Sequence, residues 1–142
     1  KLGKIQVVCC IEKEAKRFTV NIVKVNDLPK YGITGPPDPC VKVILDQDGV
    51  LQQKQTRTLK GSRNAVFKES IMFLVVTQPH VLEKTSLTLS VRDMSRSDAV
   101  IGEAYLGTLA KDKTELDQWR HTLSSFGKEF KATHQLKLLA PA

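Results

Sequence analysis

Most of the chain alternates apolar and polar residues with a period of two. Leu87, Leu89 and Val91 alternate with Thr88, Ser90 and Arg92, the pattern of a strand with one buried and one wet face. Phe18, Val20 and Ile22 alternate with Thr19 and Asn21 in the same way, and Ile5, Val7, Cys9 and Val41, Val43, Leu45 repeat it. Ile71 to Val76 is continuously apolar, which predicts a central strand buried on both faces. Further strands are expected around residues 52–59, 100–109 and 132–139. Turn-rich segments at residues 46–49 and 60–64 separate them, and no internal repeat or domain boundary interrupts the series. About eight short strands of this kind predict one all-β domain, an antiparallel sandwich over residues 1–142. One segment breaks the pattern. Asp112 stands three residues before Glu115, a capping arrangement, and Leu116, Trp119 and Leu123 follow at helical spacing. This predicts a short helix from Asp112 to Leu123, before the last strand, with Trp119 as its anchor.

Between the second and third strands lies a loop dense in Gly and Pro: Gly32, Gly35, Pro36, Pro37 and Pro39. Such a loop cannot join either neighbouring strand, so it places Asp38 at the rim of a sheet. The longest apolar run has six residues, far short of the roughly 20 that a membrane span needs. Any membrane contact made by this segment is therefore expected to be peripheral. The chain starts at Lys1 and not at Met, and is expected to be excised from a larger protein.

A net charge of +7 favours an acidic partner: anionic lipid, nucleic acid or an acidic protein surface. Nucleic acid fits poorly. Phe18, Phe67, Phe73 and Trp119 all suit core positions, and the basic residues form no single stripe. Cys9, Cys10 and Cys40 have no zinc-type spacing and read as reduced structural thiols of a cytosolic protein. His80, His121 and His134 lie far apart, without a neighbouring ligand at metal spacing. No nucleophile elbow, phosphate-binding Gly loop or paired-carboxylate cleft is visible, so no enzyme is expected.

Four motifs together resemble the C2 domain family, and in particular the second C2 domain of synaptotagmin-like tandem C2 proteins. Leu28 and Pro29, followed by Asp38, Pro39, Cys40, Val41, Lys42 and Val43, look like the family's first top loop and third strand. Arg63 to Glu69 resembles its Asn-Pro-x-Phe-Asn-Glu turn, with Ala65 for Pro and Lys68 for Asn. Val91, Arg92 and Asp93, then Val100 to Glu103, resemble the strands flanking the third top loop. Gln118 and Trp119, with the final Thr133 to Leu136, resemble the family's late helix and last strand. The resemblance covers nearly the whole chain and implies an eight-stranded antiparallel C2 β-sandwich.

It also implies two kinds of site. In calcium-binding members, aspartates of the first and third loops converge on the ions. Here Asp38 and Asp93 match such positions, but Gly32 and Ser95 stand where two further aspartates are usual, and Asp98 lies in a shortened third loop. Lys30, Arg92 and Arg96 would repel a divalent cation. Calcium takes six to eight oxygens, so these degenerate loops imply no metal cofactor. Asp38 then reads as a turn-capping residue and Asp93 as a strand-end carboxylate paired with a nearby Arg. The second implied site is a basic patch for phosphoinositide headgroups or acidic proteins. It would draw on Lys42, Lys54, Arg57 and Lys60, although strand alternation turns Lys54 away from Arg57. The resemblance thus implies a calcium-independent, peripheral phospholipid-binding module on cytoplasmic membrane faces, in vesicle trafficking or exocytosis, with any membrane anchor of the parent protein lying elsewhere. The alternative is a protein-interaction module that binds trafficking proteins with little lipid binding.

Overall fold

The computed structural model describes residues 1–139 and contains eight strands. They are β1 (Lys4–Glu12), β2 (Arg17–Asn26), β3 (Pro39–Gln47), β4 (Val50–Gln55), β5 (Ala65–Leu74), β6 (Thr85–Asp93), β7 (Ala99–Gly107) and β8 (Phe130–Gln135). Two antiparallel four-stranded sheets, ordered β5-β2-β1-β8 and β4-β3-β6-β7, face each other. The period-two residues fill the space between them: Ile5, Val7, Cys9, Phe18, Val20, Ile22, Val41, Val43, Leu45, Leu87, Leu89 and Val91 are all within 1% of complete burial. Each such side chain contributes about 1.5–3 kcal/mol of transfer free energy. Cys9 and Cys10 point to opposite faces, as alternation requires, and the three thiols are free.

The apolar run Ile71–Val76 departs from expectation. It is not a central strand: β5 is the outer strand of its sheet, and Met72, Leu74 and Val76 are 39%, 66% and 47% exposed. Its inward residues Ile71, Phe73 and Val75 are buried, so the strand alternates after all. Composition alone could not tell a doubly buried strand from an edge strand with an apolar outer row. β4 is also shorter than expected, ending at Gln55, and β5 begins earlier, at Ala65. A single helical turn, α1 (Pro79–Leu82), was not anticipated.

The helix before the last strand is α2 (Lys113–Ser124), with Asp112 at its N-cap position. The expected capping box does not form. Asp112 makes no side-chain cap bond and its carboxylate meets Lys137 at 3.1 Å. Glu115 turns inward instead, fully buried. There it accepts the Tyr105 N–H at 2.9 Å and meets Lys137 Nζ at 2.5 Å. Trp119 is the anchor that its spacing predicts, 1% exposed and 6.0 Å from the Phe18 ring. The rest of the inward face is polar. Gln118 donates to the carbonyls of Val7 and Phe130, and its Oε1 meets His134 Nε2 at 2.6 Å. This network fixes α2 across β1 and β8, so the helix docks through hydrogen bonds as much as through an apolar stripe.

Candidate functional site

Three connections meet at one end of the sandwich, because β2, β4 and β6 all run toward it: residues 27–38, 56–64 and 94–98. Backbone bonds tie them together. Leu28 N–H donates to Arg63 O at 3.1 Å, Ser62 N–H to Pro37 O at 2.9 Å, and Met94 N–H to Asp38 O at 2.9 Å. Gly32–Thr34 forms one 3-10 turn and Met94–Arg96 another.

The fold brings Asp38 and Asp93 together as the sequence suggests. Both carboxylates are already engaged as acceptors within the protein. Asp38 Oδ1 accepts the Gly61 N–H at 2.7 Å, the turn-capping role expected of it. Asp93, 1% exposed, accepts the Asp38 N–H at 3.0 Å, and the Ser95 N–H and hydroxyl at 3.0 and 2.6 Å. All three bonds fall on Oδ1, and Oδ2 is buried without a partner. The expected Arg partner of Asp93 is absent from this set, because Arg92 bonds elsewhere. Ser95, which stands at a ligand position of the resembled family, is a donor to Asp93 and not a second acid.

Asp98 completes a different cluster. Its Oδ2 lies 2.5 Å from Lys42 Nζ and 3.2 Å from Arg92 Nη1, and Arg92 Nε donates to Ser90 Oγ at 2.7 Å. The hydrogen bond from Lys42 is the first cause that holds the Asp98 carboxyl below its ordinary range, with Arg92 acting in the same direction. Among the described residues no group of three or more His, Cys, Asp or Glu is placed to hold a metal ion. Asp38 and Asp93 each commit Oδ1 to N–H or O–H donors and Asp98 is paired with two cations, a poor match to an ion that takes six to eight oxygens.

The four basic residues singled out in the sequence do not form one patch. Lys42 lies on the outer face of the β4-β3-β6-β7 sheet, bound to Asp98. On β4 the outward residues are Leu51, Gln53 and Gln55, paired with Asp46, Ile44 and Lys42 of β3. Lys54 points the other way, over the edge of the sandwich, onto the Met72 carbonyl and the Phe73 ring. Arg57 reaches the same edge and pairs with Glu69 of β5 at 2.9 Å. The expected opposition of Lys54 and Arg57 therefore does not hold, because β4 stops at Gln55 and alternation stops with it. Lys60 is exposed in the 56–64 connection and takes part in none of the ion pairs among the described residues.

Sequence reasoning missed one feature of this end. Ile33 stands fully exposed, 105% of its reference area, at the tip of the Gly- and Pro-rich loop. Its only signal was an isolated apolar residue between Gly32 and Gly35. Tyr31 beside it carries the Arg96 guanidinium 4.3 Å over its ring, and Lys30 is exposed on the same loop.

A family model described as C2 domain matches residues 16–122. Human synaptotagmin-7 is 32% identical over 139 residues, which is 95% of this chain and 34% of that protein. Synaptotagmin-9 of Rattus norvegicus is 33% identical over 138 residues, 95% of this chain and 28% of that protein. The chain therefore spans about a third of the length of these relatives. Among solved structures, a C2 domain of RIM2 superposes with a TM-score of 0.72 at 18% identity, over 95% of this chain and 97% of that one. The first C2 domain of human synaptotagmin XIII gives 0.66 at 17% identity, over 92% and 85%. At these identities the two structures speak for the fold alone.

Proposed function

The chain belongs to the C2 domain family, and on that premise we propose that it is a calcium-independent, non-enzymatic module that binds anionic phospholipid at the cytoplasmic face of a trafficking membrane. The observation that carries this reading is that the loop end is joined through its own carboxylates. Asp38 and Asp93 join the three connections by accepting backbone N–H and Ser95 donors. These bonds support a loop end assembled through the chain's own donors. The exposed groups of the three connections include Ile33, Lys30, Lys60 and Arg96, an apolar residue and three cations at one end of the sandwich.

Such an end suits an anionic bilayer. Each cation near the leaflet is worth around 1 kcal/mol, and burying an isoleucine adds roughly 1.5–3 kcal/mol. The sum is a weak, salt-sensitive attachment. A second module in the same protein would strengthen it by raising effective concentration.

A second reading, docking of an acidic trafficking protein with little lipid binding, draws support from the pairing of Lys42 with Asp98 and of Arg57 with Glu69, which removes two cations from any headgroup patch. Vesicle cosedimentation separates the readings. With the proposed function, the domain sediments with vesicles containing phosphatidylserine or phosphatidylinositol bisphosphate equally in calcium and in chelator, and Ile33→Asp reduces the bound fraction severalfold. Binding that requires calcium and vanishes in Asp38→Asn with Asp93→Asn would overturn it. Absence of binding at low salt favours the protein partner.

A further inference from the structure

We propose that a cavity at the free edge of β7 receives an arginine side chain of a protein partner, with Glu115 as the carboxylate that binds it. The proposal is independent of the membrane reading above. β7 starts at the loop end and runs away from it, so the cavity, beside Tyr105 and Leu109, lies toward the other end of the strand.

β7 is the outer strand of its sheet, and neighbouring segments cover its free edge. Glu103 exchanges backbone bonds with Lys137 at 2.7 and 3.0 Å. Two residues on, the Tyr105 N–H donates to Glu115 Oε2 at 2.9 Å. Beside these bonds the cover is incomplete: a cavity of about 420 Å³ opens among Tyr105, Leu109, Glu115, Lys137, Leu138 and Leu139. Apolar walls around a few polar groups are the usual make-up of a binding pocket. Leu109 and Leu138 are 80% and 68% exposed, an apolar mouth that a docked partner would cover.

The polar part of the cavity is unbalanced. Glu115 is fully buried, yet both of its bonds fall on Oε2. Oε1 is buried without a partner among the described residues. A buried carboxylate oxygen without a donor is costly. The cation bonded to Glu115 is Lys137, and its Nζ is divided between Glu115 at 2.5 Å and Asp112 at 3.1 Å. Two carboxylates thus share one ammonium. An entering cation supplies the donor that Oε1 lacks and leaves Lys137, whose side chain is 32% exposed, to serve Asp112.

The fitting ligand is a cationic fork on an apolar stem. A guanidinium is more weakly hydrated than an ammonium and donates in a plane that matches a carboxylate, which favours it for buried ion pairs. Its methylene stem packs on leucines, and the Tyr105 ring offers an aromatic surface to the same group. An anionic ligand would meet the unpaired Oε1 and is disfavoured. Lys111 also lines the cavity, but it is exposed, so its repulsion of a second cation is screened by solvent.

Titration of the ¹⁵N-labelled whole chain with the peptide acetyl-Leu-Arg-Leu-amide, followed by amide chemical shifts, tests this. Saturable shifts are expected at Tyr105 and Leu138, with affinity at least about fivefold higher than for the same peptide carrying citrulline, the neutral isostere. Glu115→Gln keeps an acceptor for the Tyr105 N–H and should erase that preference. Leu109→Ser changes an exposed position and should weaken the arginine peptide severalfold, independently of any effect on the Glu115 network. Absence of saturable shifts, equal affinity for the two peptides, a preference that survives Glu115→Gln, or indifference to Leu109→Ser each overturns the proposal. Agmatine alone should bind more weakly than the arginine peptide, and equal affinity would assign the cavity to a free amine instead of a protein. Shifts at the same amides on concentrating the chain alone would assign it to a second copy, and would equally refute the proposal.

Discussion

Asp93 is a carboxylate that reads as a metal ligand and acts as a joint. Its Oδ1 gathers three donors from two loops. Asp93→Ala strands those donors and should cost about 2–4 kcal/mol, equally in calcium and in chelator, as read from urea midpoints. A parent midpoint that rises in calcium would show a metal there after all. His134 is a second buried group with a measurable consequence. It has no exposed surface, and its ring nitrogens meet Thr114 Oγ1 and Gln118 Oε1 at 2.9 and 2.6 Å. Burial first, and then the Lys137 charge, lower its pKa to about 4. The unfolded chain, with a value near 6.5, takes up the proton first as pH falls. Its contribution to stability is therefore complete above about pH 6.5, declines as pH falls toward 4, and levels off below that, an amount of about 3 kcal/mol. Urea midpoints between pH 7.5 and 4.5 should fall less steeply in His134→Gln than in the parent chain. Parallel slopes in the two would show that His134 is not the group being titrated.

At the scale of elements, the facing edges of the two sheets show how the sandwich closes without a shared strand. β5 exposes its backbone toward β4, and side chains of the opposite sheet meet it. Gln47 donates to the Val76 carbonyl at 2.9 Å and accepts the Val76 N–H at 2.8 Å. Gln52 donates to the Leu74 carbonyl at 2.8 Å, and Glu69 accepts the Arg57 N–H at 3.1 Å. This seam occupies groups that an edge strand otherwise offers to other chains. Gln47→Ala should lower stability by about 2–3 kcal/mol through three lost side-chain bonds, two to Val76 and one to Thr85 Oγ1, and should promote association on concentration, seen by light scattering. A fully monomeric variant of parent stability would deny the seam that role. α2 teaches a related lesson. Its spacing announced a helix and an anchor at Trp119, but the polar residues Glu115, Gln118 and Thr122 that share the buried face gave no periodic apolar signal. Lys137, the partner of Glu115, and His134, the partner of Gln118, come from the following strand and its extension, while Thr122 donates to the Gln118 carbonyl of its own helix.

For the whole molecule, the charge of +7 is less concentrated than the sequence suggests. Lys42 and Arg92 share Asp98, Arg57 has Glu69, Arg17 has Glu12, and Lys137 lies between Asp112 and Glu115. What remains for a distant anionic partner is the loop end and scattered surface lysines. Vesicle binding should accordingly fall steeply between low and physiological ionic strength, where the screening length is near 8 Å, and salt-independent sedimentation would point to a mainly apolar attachment. No helix among the described residues is long and apolar enough to cross a membrane. The sequence by itself determined the strands, the sandwich, the late helix and the loop that carries Asp38, because side-chain periodicity and Gly and Pro chemistry are local and act wherever they occur. It also showed which acids the loops lack. Only the tertiary structure decided which strand is an edge and which cations are already neutralised. Edges, ion pairs and buried hydrogen bonds join residues such as Lys42 and Asp98 that are remote along the chain, and no local pattern records such a meeting.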